Sequence, residues 1–518
     1  MIASRRFGVH KSTTKLNART LQTAQYHICT ELGLSPTSCQ HDDIMPSQGS
    51  GNSPMIWCFI SSILFDCYEK MAYQAFYCNP DGTNSMNINM IGFVDDSNGQ
   101  VNSFLQDESP EGLQHLIRKA EHNATTWSKL LSATGGSLEL SKCSYHVVNW
   151  QFSISGAPVL SSVKSRIPSI SVTDPFTGET QDLEYLPPSV AHKTLGHYKE
   201  PTGTQRSQFK QLKLKSDNAT EFLWTTHLTR EEAWTFYHSC YLPSITYPLT
   251  SSYLTETQLE KIQQKAMTII YAKCGFNRHT KRVVLYGPLE LGGAEFRRLY
   301  VHQGIAQIKY FLGHWRLQST VGKLFQSSLS WFHLTTGMSF SILDRVHVPL
   351  PHLESKWLAS LRNFLATVNA SIEVDDPHIP PRQREGDEYL MDMIVKANVF
   401  TNAEICKLNY CRLYLQVVTL SDISKPNGEE LDTSMLDGAP SLMSATTKLV
   451  KVNQDRPLEK EWKLWKRANS LWSDLGGRLL YPMTEWLCSV QDQRQQHFAY
   501  VHQQTLFLRS NDNTYHKY

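Results

Sequence analysis

Asn87-Ile88-Asn89-Met90-Ile91-Gly92-Phe93-Val94-Asp95-Asp96-Ser97-Asn98-Gly99-Gln100-Val101 is the stretch whose reading decides the fold. It reads as a strand that climbs into a tight turn and leaves as a second strand. Ile88, Met90, Phe93 and Val94 give the apolar β character, and Asn98-Gly99 tolerates the positive φ that a hairpin turn needs. Two adjacent carboxylates follow the most apolar part, where they repel each other and no nearby cation offsets them. Mg²⁺ would resolve the conflict, because it takes hard carboxylate oxygens together with phosphate oxygens. The plain alternative is a solvated turn, since Asp is a good turn residue. Val374-Asp375-Asp376-Pro377 repeats Val-Asp-Asp in a polar, Pro-rich setting and reads as such a loop.

The whole chain sets bounds on this reading. Its 518 residues suffice for two to four domains. The 50 Lys and Arg nearly balance 48 Asp and Glu, which leaves room for a segregated basic face. The 11 Cys are odd in number, scattered, and without CxxC or zinc-knuckle spacing, so reduced thiols in an intracellular protein are expected. The longest apolar run, residues 55–65, is too short to span a bilayer. The start, Met1-Ile2-Ala3-Ser4-Arg5-Arg6, lacks the apolar core of a secretory signal. The expectation is a protein of nucleus or cytoplasm, neither secreted nor membrane-bound.

Upstream of the hairpin, Leu16, Leu21, Ala24, Ile28 and Leu32 stand at roughly helical spacing before Gly33, which predicts a helix over 16–32. Gln48-Gly49-Ser50-Gly51-Asn52-Ser53-Pro54 then frees the backbone and ends in a hydroxyl N-cap with Pro at the first helical position. A helix is expected over 54–75, buried in its apolar first half. A Gly-rich loop opening a buried helix lets backbone approach a phosphate or base, although an ordinary capped loop has the same composition.

Downstream, Leu113, Leu116, Ile117, Ala120, Ala124, Trp127 and Leu131 mark one face of an amphipathic helix that Gly135-Gly136 ends. Leu138-Glu139-Leu140-Ser141-Lys142-Cys143 follows, then a β-rich run over 145–154. The order is loop, helix, carboxylate hairpin, helix, Gly-Gly-x-Leu-x-x-x-Lys-Cys, strands. It resembles the palm of retroelement reverse transcriptases of the non-LTR, LINE-like kind. Gln48 to Pro54 resembles that family's motif B, Phe93-Val94-Asp95-Asp96 its motif C, Gly135 to Cys143 its motif D, and the strands after Cys143 its primer-grip motif E.

The resemblance implies RNA-directed DNA synthesis with two Mg²⁺ (or Mn²⁺) ions, an RNA template, a DNA primer and dNTPs. It implies that Asp95 is a metal ligand and that Asp96 is a ligand or a support for the primer end. Phe93 would pack at the base of the turn. Gln48, Gly49 and Ser50 would lie along template and incoming nucleotide, and Lys142 near the pyrophosphate. The family's third carboxylate is an Asp ending an earlier strand. No Asp occurs before Asp42, and Glu31 falls in the expected helix. The chain is therefore expected to begin downstream of that motif and to polymerise poorly or not at all. A non-catalytic nucleic-acid-binding remnant is the alternative.

His192-Lys193-Thr194-Leu195-Gly196-His197 resembles the family's Leu-Gly strand between palm and thumb. Arg206, Lys210, Lys213 and Lys215 follow, and residues 191–298 hold 15 Lys and Arg against 9 Asp and Glu. A surface that tracks phosphates is expected there. A helix carrying Leu254, Leu259, Ile262, Met267 and Ile270 ends near Gly275, and a loop over 286–293 follows. Trp462, Trp465 and Trp472 stand among Lys and Arg at helical spacing, an arrangement that is more often core than stacking platform. No acidic set reads as an RNase H or endonuclease site. The expected fold is α+β: a partial palm with antiparallel sheet over 1–160, a connection and thumb-like region over 161–300, and a mostly helical extension over 301–518. Linkers are expected near 373–388 and 421–447.

Overall fold

The computed structural model describes residues 6, 8–23, 25–30, 33–39, 53–80, 84–93, 96–103, 110–152, 158–161, 167–277, 279–353, 356–374, 379, 382–425, 427–432, 456–484, 490–491, 498–502, 505–509 and 515–517. The chain is a mixed α+β protein that divides into two compact units. One comprises Met1–Tyr77, Met86–Val147 and Val163–Pro188, the other Cys78–Ser85, Val148–Ser162 and Ser189–Tyr518.

In chain order the first unit begins with α1 (Lys11–Thr23), β1 (Tyr26–Thr30), β2 (Gly33–Cys39), α2 (Ser53–Met71), β3 (Ala75–Cys78) and β4 (Ser85–Ile88). Then come β5 (Met90–Phe93), β6 (Asp96–Gly99), α3 (Pro110–Ser132), β7 (Ser144–Tyr145), β8 (Asn149–Phe152) and β9 (Pro158–Ser161), the last two lying in the second unit. β10 (Ser171–Thr173), β11 (Thr180–Asp182) and β12 (Glu184–Tyr185) complete the first unit. Leu64 and Tyr68 of α2 meet Trp127 and Leu131 of α3 in one core. Ile117, Leu140, Val147, Ile170 and Val172 form a second.

The helix expected over 16–32 is corrected. α1 stops at Thr23, and β1 pairs antiparallel with β2. Thr30 lies opposite Gly33, whose φ of 114° only glycine adopts readily, so the glycine turns a hairpin instead of ending a helix. α3 ends as expected, with Gly135 at φ 86°. α2 is not buried in its first half: Met55 is 60% exposed, and burial begins at Leu64, where α3 covers it.

The second unit contains the hairpin β13 (His192–Thr194)–β14 (His197–Lys199) and the helices α4 (Arg206–Thr225), α5 (Arg230–Phe236), α6 (Leu242–Thr246) and α7 (Glu256–Lys273). α7 starts in a capping box between Thr255 and Gln258, and Gly275 at φ 88° follows its end, close to where its apolar spacing stops. Leu212 and Leu223 of α4 bury against Leu259, Ile262, Ala266 and Ile270 of α7. α8 (Arg282–Tyr286) leads into the glycine-rich loop, where Gly293 lies so close to Gly287 that a side chain has no room.

α9 (Leu299–Leu317), α10 (Thr320–Thr336) and α11 (Trp357–Thr367) share a core around Phe311, Leu329 and Leu361. Glycine sets how closely these helices meet. A Cβ on Gly304 would stand 2.1 Å from the Phe364 ring, and one on Gly322 2.1 Å from the His314 carbonyl. α12 (Leu390–Ala397), α13 (Asn402–Leu415) and α14 (Glu459–Asn469) enclose a last core. Trp462, Trp465 and Trp472 are buried in it, which settles them as core. The two segments expected as linkers differ from expectation where described: Arg384, Asp387, Ile423 and Leu431 are all buried. Their polar composition serves the backbone, since the Asp387 carboxylate accepts from the Gln383 and Ser421 amides at 2.9 Å each. The expected helical extension also ends in strands, with β15 (Val490–Gln491), β16 (Phe498–His502), β17 (Thr505–Arg509) and β18 (Tyr515–Lys517) forming an antiparallel sheet.

His352 links this body to pH. It is buried, its Nε2 donates to the Thr336 carbonyl at 3.0 Å, and its Nδ1 has no hydrogen-bond partner among the described residues. Burial, with the Arg412 and Arg362 charges, pushes its pKa down to about 4. The folded value lies below the unfolded one near 6.5, so its stabilisation is complete above about pH 6.5 and fades as pH falls towards 4. From pH 7 to 5 the loss is about 2 kcal/mol. Urea midpoints should fall more for the native chain than for His352→Gln over that interval. Equal falls would remove His352 from the account.

Candidate catalytic hairpin

β5 and β6 pair antiparallel in the register Met90–Gly99, Ile91–Asn98, Gly92–Ser97 and Phe93–Asp96. Asn98-Gly99 was expected at the turn and is instead inside β6, paired with Ile91 and Met90. Asp95 itself lies outside the described residues, as do Gln48, Gly49 and Ser50.

Alternation sorts the hairpin into two faces. Met90 and Gly92 face the core that α2 and α3 supply, and Met90 packs against it. Gly92 lies flat on Phe65, where a Cβ would come 2.2 Å from the ring. Phe65 in turn stacks on Trp127 at 5.3 Å, so the ring has little freedom to yield. Beside Gly99, burial pushes the Tyr68 phenol up to about 12, which marks a dry floor. The other face carries Ile91, Phe93, Asp96 and Asn98, all exposed. Cross-strand partners share a face, so Phe93 and Asp96 stand side by side at the foot of the turn.

The chain on either side is fastened. Asn102 takes the Phe76 amide at 3.0 Å and gives to the Phe76 carbonyl at 2.8 Å. The Gln100 amide donates to the Asn89 carbonyl, and Tyr77 Oη donates to Gln100 Oε1, each at 2.8 Å. Gly92 was present in the quoted stretch without a role. The legible signal was a glycine inside an apolar strand run, which marks close backbone approach. Gly92→Ala is expected to cost about 1–3 kcal/mol through overpacking against Phe65. An unchanged urea midpoint, with unchanged proteolytic cleavage in the hairpin, would contradict that contact.

Lys142 ends the 3₁₀ turn Leu140–Lys142, which is anchored by buried Leu140. It is exposed and forms no ion pair among the described residues. The Ser141 hydroxyl, and after it the Lys142 charge, holds the Glu139 carboxyl below its usual range. Burial pushes the neighbouring Cys143 thiol up. Among the described residues no group of three His, Cys, Asp or Glu side chains could hold a metal ion.

Arg206, Lys210 and Lys213 stand at i, i+4 and i+7 on one side of α4, and Lys215 does not. Arg206 and Lys210, four residues apart, lie exposed on the ridge opposite buried Gln208, Leu212, Ser216 and Leu223. Lys213 is ion-paired with Asp217 on the same helix. Lys215 lies on another flank and donates to the Ser244 carbonyl at 3.2 Å. Arg206 occupies the first turn, where the helix dipole disfavours a cation, so helix stability does not explain it. Leu195-Gly196 is the tip of β13–β14, with φ of 49° and 78°, where a strand was expected. A leucine in the left-handed region costs about 1–2 kcal/mol, and Leu195 is exposed, while a Cβ on Gly196 would meet the Tyr247 ring.

No described helix is long and apolar enough to cross a membrane. Set against family models, curated proteins and solved structures, the chain matches none.

Proposed function

We propose that the chain carries the reverse-transcriptase palm and thumb of a non-LTR retroelement and acts in RNA-directed DNA synthesis. The observation that carries the reading is the β5–β6 hairpin, whose last described pair, Phe93 and Asp96, stands on one exposed face. In this reading the first unit holds the palm and α4 to α7 belong to the thumb. Asp95 and Asp96 would hold Mg²⁺ or Mn²⁺, which would activate a primer hydroxyl and neutralise the triphosphate. Phe93 would pack against the primer end, and Lys142 would meet the leaving pyrophosphate. Gln48, Gly49 and Ser50 would line the template. Arg206 and Lys210 would follow the phosphates of the RNA template and DNA primer.

Such a site needs a third carboxylate. Asp42 and Asp43 precede Gln48, and the resemblance assigns neither of them a ligand role. The test is dNTP incorporation on a primed RNA template with Mg²⁺, beside the Asp95→Ala/Asp96→Ala chain. Incorporation above that variant supports the enzyme. Equal incorporation rejects it, and salt-dependent binding of the same template would then leave the alternative, a non-catalytic nucleic-acid-binding remnant.

A further inference from the structure

Residues 296–343 contain five Lys and Arg and no Asp or Glu. α9 and α10 lie inside this stretch, and α9 forms most of a shallow, open surface groove. Thr250, Lys309, Tyr310, Gly313, His314 and Leu317 line it, and no carboxylate does.

The groove is open because position 313 is glycine. A mid-helix glycine costs about 0.5–1 kcal/mol relative to alanine. Gly304 and Gly322 are required by close packing, but a Cβ on Gly313 would meet nothing within 4 Å. Packing therefore does not explain the glycine, and its effect is an unfilled groove floor. The walls are held in place. Tyr310 stands edge-on to His314 at 4.5 Å and to Phe325 at 5.8 Å. His314 Nδ1 lies 2.8 Å from Ser319 Oγ, and Trp357 Nε1 donates to the Thr250 carbonyl at 3.0 Å. Lys309 is exposed without an ion pair among the described residues, and Arg316 is exposed nearby.

We propose that this groove binds single-stranded nucleic acid, seating a base against Tyr310 and His314 with its phosphate towards Lys309. A ring surface beside unpaired cations and away from carboxylates is what a sequence-tolerant strand site requires. The groove is too small for a duplex. The proposal rests on the reading of the chain as a nucleic-acid polymerase part, and it gives the region beyond residue 300 a share in that work.

The test measures fluorescence anisotropy with the full chain. The probes are labelled oligo(dT) and oligo(rU) of about 12 nucleotides, within the usual range of strand site sizes, and a blunt RNA–DNA hybrid. Gly313→Leu fills the groove where nothing obstructs it, so the melting temperature should hold. Oligonucleotide affinity should drop at least 10-fold while hybrid affinity stays the same, with a smaller drop for Lys309→Gln. The dT and rU probes tell whether displaced DNA or template RNA is favoured, and either supports the proposal. Unchanged oligonucleotide affinity in Gly313→Leu overturns it, as does an equal loss for the hybrid. If the native chain binds hybrid but not single strands, this inference fails and the proposed function stands. If it binds neither, both fail.

Discussion

Arg206→Glu/Lys210→Glu should bind a primed RNA template about 10–100-fold more weakly than the native chain near 0.1 M salt, with the log–log salt slope reduced by about 2. The two side chains share the exposed ridge of α4. The variant has a built-in control for folding. A carboxylate in the first helical turn suits the helix dipole better than a cation, so Arg206→Glu should not unfold α4. Lys213→Gln should change little, because its charge is already paired with Asp217. An unchanged salt slope in the double variant would show that the ridge does not meet phosphates.

Arg412→Met should cost about 3–5 kcal/mol, the usual result of removing a buried, fully bonded charge partner. Arg412 is 1% exposed. Its guanidinium donates to the carbonyls of Leu334, Thr335 and Val417 at 2.9, 2.6 and 3.0 Å, and its Nε donates to Asn409 Oδ1 at 2.9 Å. The first two carbonyls end α10, where the dipole is negative and a cation is favoured. Gly337 at φ 64° makes room: a Cβ there would stand 2.7 Å from Arg412 Cζ. Methionine keeps much of the volume but leaves those carbonyls buried without a donor. The urea midpoint of the native chain and variant measures this, and a shift below about 1 kcal/mol would show that water takes over the bonds.

The contrast between these two cases explains what the sequence could tell. The α4 ridge follows from spacing, since charges four residues apart must share a helix face. α3 and α7 were legible for the same reason, helped by Gly135 and the Thr255–Gln258 cap. Arg412 was not legible, because two of its three carbonyl partners lie more than 75 residues away on another helix. The misread helix over 16–32 had apolar spacing that also suits a hairpin, and only the pairing of Tyr26 with Cys39 decides. The carboxylate hairpin was placed in the right stretch, but the seat of Gly92 on Phe65 is a contact between segments that the sequence does not show. The stretches expected as linkers misled through composition. Asp387 and Asp422 are polar residues whose carboxylates are taken up by buried backbone amides.

The central claim is that Asp95 and Asp96 hold a divalent ion at the turn. The most direct measurement is hydroxyl-radical mapping with Fe²⁺ in place of Mg²⁺, in the presence of primed RNA template and a dNTP, because radicals cut the backbone only beside the bound ion. The account predicts cleavage confined to residues near Asp95 and Asp96, competed by excess Mg²⁺ and lost in Asp95→Asn/Asp96→Asn. Cleavage that is absent there, or that persists in the variant, would contradict it.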